Sequence, residues 1–426
     1  MKKLSIVFLT ILSSTLLFSQ IKNEADIVDI AQLDDSVSIV NQTLIFVDSN
    51  KYADINIIKE QVFSPLNAST FLKYVPSTLI SYDFYYQFSL KNTNSFTDTV
   101  YLNPGYLVRN VKLFIKDSTG NIIPFLETIN VDGFIGLQLK ANTVKEFLIK
   151  LSLAKNSSIS LFPQIINKNY LPKYKTILYN EEVELKACGY ILSGILLLMF
   201  LFTTTNYIVS GKKEFLYYCA YTFCMLCLIF LKAAFRKTIA DFTVFFVCYL
   251  DCILLTTGMI FYIAFTRFFL DTKRNYKTLD KVLKFEEWML FSLLIIYTIL
   301  HYFTNLFWLE NFIENSIKFI ALALGIVYII LALRKKDRYT SYLAYGNVVM
   351  IIFSIVSWSL ILITNKGNGL FSSPLFYYNI GLGSSLIFFL FGVTYKNTNE
   401  LIEKTQQETA LKQEVEKKNL KTSLLL

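Results

Sequence analysis

The 426-residue chain reads as a two-part membrane protein, an all-β sandwich followed by an all-α bundle of seven transmembrane helices and a helical tail. Three observations predict this. Seven apolar stretches follow one another between Ala187 and Tyr395, each near the roughly 20 residues that a helix needs to cross about 30 Å of hydrocarbon. The region before them is built of short β-branched and aromatic runs separated by Asn, Asp, Ser, Thr and Gly clusters. Lysines and arginines gather in alternate loops of the apolar half.

Taken in order, residues 1–19 have the layout of a cleavable secretory signal peptide: Lys2 and Lys3, an apolar run over 4–18, then Ser19. The run is short for a span, polar sequence follows it, and no cysteine stands at the cleavage point to accept a lipid. Export then places residues 20–180 outside the cytoplasm. Their predicted strands are 84–90, 99–102, 111–115, 121–125, 134–139, 145–153 and 158–166, and Asp117, Ser118, Thr119 and Gly120 supply a hairpin turn. All six cysteines, Cys188, Cys219, Cys224, Cys227, Cys248 and Cys252, fall in the first three spans. The exported domain therefore has no disulfides and needs an apolar core of its own. Cys224 and Cys227 form a C-x-x-C, but inside an apolar helix that spacing reads as packing rather than as a redox or zinc site.

The spans themselves fall at 187–209, 215–235, 242–268, 288–307, 317–333, 342–363 and 375–395. Inside lipid every backbone N–H and C=O must be bonded within its own segment, which makes these stretches helices. Lys212, Lys213, Lys273, Arg274, Lys277, Lys281, Lys284, Arg334, Lys335, Lys336 and Arg338 lie in loops on one side, against only Arg236, Lys237 and Lys366 on the other. The rule that basic loops stay in the cytoplasm then puts the sandwich outside and residues 396–426 inside, across a plasma membrane. The same bias accounts for the net charge of +9, so the charge gives no support to a nucleic-acid partner.

Ionisable and amide groups inside spans are costly and face other helices or hydrated cavities. Lys232 near the outer end of span two, Asp251 in span three and Asn347 in span six are the intramembrane candidates, with Gly381 and Gly383 of span seven suited to close helix packing. Lys232 and Asp251 either pair, as a latch for one state of the bundle, or stay apart, with the lysine snorkelling to the headgroups. Counted along the helix axes they differ by about 8 Å, which favours snorkelling. His301, the single histidine, sits near the outer end of span four, beyond reach of cytoplasmic phosphate chemistry. No phosphate-binding loop, dinucleotide fingerprint or metal-spaced His and Cys set is present, so no catalytic residue, cofactor or metal is assigned.

Residues 46–50 leading into 55–65, then 84–92 and 111–120, together with the leader and the seven spans, resemble the bacterial seven-transmembrane receptors with diverse intracellular signalling modules. That resemblance implies an extracytoplasmic jelly-roll sensor for a small molecule or carbohydrate, and a helical linker into an output module. The tail matches a linker in that Leu401, Leu411 and Val415 take heptad positions, while Glu408 and Lys418 interrupt them. It implies a homodimer through the tail and either an output module beyond Leu426 or a separate cytoplasmic signalling protein. A membrane transporter and a scaffold displaying the sandwich are the alternatives. Neither visible repeats nor several buried charges favour transport.

Overall fold

The computed structural model describes residues 27–424 except 51, 53–54, 73–74, 117–120, 126–127, 132, 157–158, 237–240, 336–337 and 363–369. The predicted signal peptide and the turn at 117–120 lie outside the described residues. The chain divides into two compact units between Lys175 and Thr176.

The first unit is a two-sheet β domain. Its strands are β1 (Val28–Asp29), β2 (Ser36–Ser38), β3 (Leu44–Asp48), β4 (Ser64–Pro65), β5 (Asp83–Asn92), β6 (Asp98–Asn103), β7 (Val108–Lys116), β8 (Ile122–Pro124), β9 (Thr128–Val131), β10 (Phe134–Leu139), β11 (Thr143–Leu153) and β12 (Gln164–Asn167), with a short helix α1 (Ile55–Lys59) between β3 and β4. One sheet runs β4-β3-β5-β11-β7-β8 with β1 parallel beside β5; the other runs β2-β12-β6-β10-β9. On β5 and β11, Phe84, Tyr86, Phe88 and Leu90 alternate in step with Phe147, Ile149 and Leu151, and all are buried. Val100, Leu102, Leu137, Leu139 and Ile165 of the second sheet are equally buried. Side chains of this size each contribute about 1.5–3 kcal/mol when fully removed from water, which is how a domain without disulfides holds together. The other face of β5 is apolar too. Ile58 of α1 packs there with Tyr85 and Leu148, so the segment 84–90 is nearly continuously apolar instead of alternating.

The predicted strand at 158–166 shrinks to β12. Pro163 has no N–H to give a ladder, and Ser160 makes a single bridge to Tyr106. Strands β1 to β4 and β9 have no counterpart in the sequence reading because they are short and carry little periodicity.

α2 (Leu171–Asn180) spans the boundary between the units. The second unit then contains α3 (Val183–Ser210), α4 (Lys213–Ala234), α5 (Asp241–Phe245), a π turn (Phe246–Leu250) leading directly into α6 (Asp251–Phe269), α7 (Thr272–Asn275), α8 (Lys277–Phe303), α9 (Phe307–Lys335), α10 (Arg338–Leu362) and α11 (Pro374–Leu424). Among the described residues, α3, α4, α5 with α6, α10 and α11 are long and apolar enough to cross a membrane. Predicted spans four and five correspond to α8 and α9, which carry Glu286, Glu287 and His301, and Glu310, Glu314 and Lys318. The predicted loop around Trp308 to Glu314 is helix: α9 already begins at Phe307.

Local chemistry sets the helix ends. Gly211 closes α3 in the left-handed region at φ +65°, its N–H donating to the Tyr207 carbonyl at 2.8 Å. Pro374 opens α11 with the φ a first helical turn needs. No glycine or proline follows Gly392, and Glu, Lys, Gln and Leu favour helix. The seventh span therefore runs without a break into the tail. At Gly381 and Gly383 an added Cβ would stand 2.6 Å from Phe353 and 2.5 Å from Leu192, so both are places of close helix approach.

Candidate functional site

Five polar groups of contacts punctuate the helical unit. They are described from its proximal end, where α3 begins at Val183, to its distal end, where α11 passes Lys396.

At the proximal end Lys232 Nζ lies 3.0 Å from Asp251 Oδ1. The depth estimate that favoured snorkelling counts only backbone rise. α4 and α6 run in opposite directions, and helical side chains lean toward their own N-terminus. Lys232 thus leans toward the middle of the bundle and Asp251 toward its proximal end, and the long lysine stem closes the remaining gap. Beside them Arg236 is paired with Glu182, tying the end of α4 to the start of α3.

Asp251 directly follows the π turn, an element that leaves backbone carbonyls displaced from helical pairing. The Tyr297 hydroxyl donates to the Cys248 carbonyl at 2.9 Å, and Tyr249 Oη lies 3.1 Å from Thr298 Oγ1. Both tyrosines also contact His301, with ring centroids 5.0 Å away for Tyr249 and 6.2 Å for Tyr297. His301 Nδ1 is 3.0 Å from Glu310 Oε2, and Glu310 is 1% exposed. This second acid–base pair escapes the sequence reading because 308–314 reads as loop. A histidine closing one helix and a glutamate opening the next is the signal that would have found it.

In mid-bundle the Asn347 amide and the Tyr262 hydroxyl exchange hydrogen bonds at 2.8 and 2.9 Å, and Asn347 Nδ2 also reaches the Leu343 carbonyl at 3.0 Å. Tyr262 stacks on Phe389 of α11 at 5.4 Å. Asn347 thereby links α6, α10 and α11.

At the distal end α11 is clamped. Lys396 Nζ donates to the Phe269 carbonyl at 2.8 Å, lies 3.3 Å from Glu214 Oε1 and sits over the Phe269 ring at 4.9 Å. Lys212 Nζ lies 2.5 Å from Glu400 Oε2 and 2.9 Å from Asn397 Oδ1. A cation at the C-terminal carbonyls of α6 and a carboxylate in the first turn of α4 both suit the helix dipoles. The point where α11 leaves the bundle is thus fixed to the ends of two other helices. In the sequence Lys396 reads only as the start of a polar tail.

The α6–α8 connection has its own knot. Asp280 accepts from Arg267 Nε at 3.1 Å and Thr272 Oγ1 at 2.9 Å and pairs with Lys284 at 3.0 Å, while Arg267 also holds Glu287. Burial pushes the Asp280 carboxyl up, but the hydrogen bonds from Lys284, Thr272 and Arg267 outweigh it and bring it down to about 2.

In the first unit, Tyr85, Tyr86 and Tyr101 are buried, so these rings form core and present no open face to a ligand. Cys224 is likewise buried, in the apolar core of the helical unit.

No curated protein matches the chain. A family model described as 7TM diverse intracellular signalling matches residues 188–396, the segment that holds the helical contacts set out above apart from their Glu182, Asn397 and Glu400 ends. The two-sheet domain, the helical unit and this match agree: the chain is a multi-pass membrane protein and belongs, through its helical region, to the 7TM diverse intracellular signalling family of sensory receptors.

Proposed function

We propose that the chain is a transmembrane receptor whose β domain takes an extracytoplasmic ligand, a small molecule or carbohydrate, and whose bundle passes a helix rearrangement to a cytoplasmic signalling protein or output module. The observation that carries this reading is α11. It enters the bundle at Pro374, contacts the Tyr262–Asn347 link, is gripped at Lys396, and continues as one helix to Leu424. A rigid helix held at its exit by ends of α4 and α6 moves when those helices move. The Lys232–Asp251 pair joins the same two helices at the opposite end, where it holds one arrangement of the pair and yields another when broken. An outward-facing β domain and a cytoplasmic tail, with a second copy meeting the first along Leu401, Leu411 and Val415, complete the scheme; all three side chains are exposed. The test is Asp251→Asn in the full chain: signalling output changes while the amount in the membrane stays the same. An unchanged output removes the latch from the mechanism.

A further inference from the structure

The receptor reading leaves His301 and Glu310 without a role, although among the described residues they are the most enclosed acid–base pair of the proximal end. Glu310 stands in the first turn of α9 and His301 in the last turn of α8. Against the imidazole stand Tyr297 and Tyr302 of its own helix, Tyr249 of the π turn and Glu310 of α9, while Cys248, Cys252 and Glu314 lie near the neighbouring Tyr297 hydroxyl. Glu314 is neutralised by Lys318 at 2.5 Å, and Asp251 by Lys232. Glu310 is the carboxylate in direct contact with the imidazole, 3.0 Å from Nδ1.

We propose that proton binding at the His301–Glu310 pair is a second input to the receptor, one that holds the π turn ahead of α6 and, through it, the aim of Asp251 at Lys232. A charged imidazole completes the ion pair between α8 and α9 and attracts the face of Tyr249, a residue of the π turn. Tyr297, one turn away on the same helix, grips the Cys248 carbonyl of that turn. A neutral imidazole leaves Glu310 facing a dipole, and the grip on the turn weakens. Histidine is the side chain whose ordinary titration lies in the range where outer-compartment pH varies. The inference stands without any ligand at the β domain, so it fails or holds independently of that reading.

The test uses the full chain in liposomes with no ligand, equilibrated between pH 8 and pH 5. Because His301 is the single histidine, selectively labelled histidine gives one NMR signal, which passes from neutral to charged over this range. Amide exchange over 246–252, corrected for its intrinsic pH dependence, slows by about 5-fold or more as it does so. His301→Gln and Glu310→Gln each abolish that slowing. An imidazole that keeps one charge state throughout overturns the proposal, whether or not the variants insert. So does a slowing that either variant retains.

Discussion

Replacing Lys396 by methionine keeps the stem of the side chain and removes its charge, which isolates the exit clamp. Three groups lose a contact: the Glu214 carboxylate, the Phe269 carbonyl and, at 3.9 Å, the Glu400 carboxylate, which keeps Lys212. Breaking a buried pair from one side costs about 3–5 kcal/mol when the remaining charge is fully enclosed. Here the side chains are 16% and 12% exposed, so water screens part of the loss and about 2 kcal/mol is expected. Adding Glu214→Gln removes the orphaned charge, so the double variant recovers about half of the loss. The coupling energy between the two positions is then about 1–2 kcal/mol. Unfolding of the full chain in detergent by denaturant measures all four corners of the cycle, and amide exchange over 401–417 reports whether the tail loosens. Coupling below about 0.3 kcal/mol, the level expected of independent sites, refutes the clamp.

Reversing the proximal pair, Lys232→Asp with Asp251→Lys, restores the output that Asp251→Asn disturbs; a signalling assay in which the reversed pair behaves like the single variant counts against a direct ion pair. The Asp280 carboxyl at about 2 lies below its ordinary 3.8. Its contribution of about 2 kcal/mol is complete above about pH 4 and is lost as pH falls through 2. Asp280→Asn removes that dependence, which exchange at the α6–α8 connection follows directly. Gly346→Ala places a Cβ 2.4 Å from Phe389 and 3.0 Å from the Ser385 carbonyl, and the resulting overpacking costs about 1–3 kcal/mol. Gly194→Ala meets nothing within 4 Å, so the better helix propensity of alanine leaves stability unchanged or raised by up to about 1 kcal/mol in the same unfolding measurement.

The parts of the fold legible in the sequence were those set by composition over many residues. Span-length apolar runs and the long strands β5, β10 and β11 are written in the chain because each must satisfy one environment along its whole length. Short strands such as β1 and β4 depend on partners distant in sequence, and nothing local marks them. The helical start at Phe307 was hidden by Glu310 and Glu314, which read as solvent-facing until His301 and Lys318 are seen to meet them. Lys232 and Asp251 were visible as costly residues, but their pairing turned on the lean of side chains in antiparallel helices, a property of the packed pair and of neither helix alone. Lys396 was illegible for a different reason. A lysine just past a span is ordinary, and only the tertiary arrangement brings the end of α6 and the start of α4 to it.

The central claim is that a change on one side of the membrane reaches the other along α11, and the sidedness of the two ends tests it most directly. Thr97→Cys in the β domain and Gln413→Cys in the tail both offer exposed positions. In intact cells a membrane-impermeant thiol reagent labels the first and leaves the second until the membrane is opened. Labelling of both in intact cells would place the domain and the tail in one compartment and contradict the account.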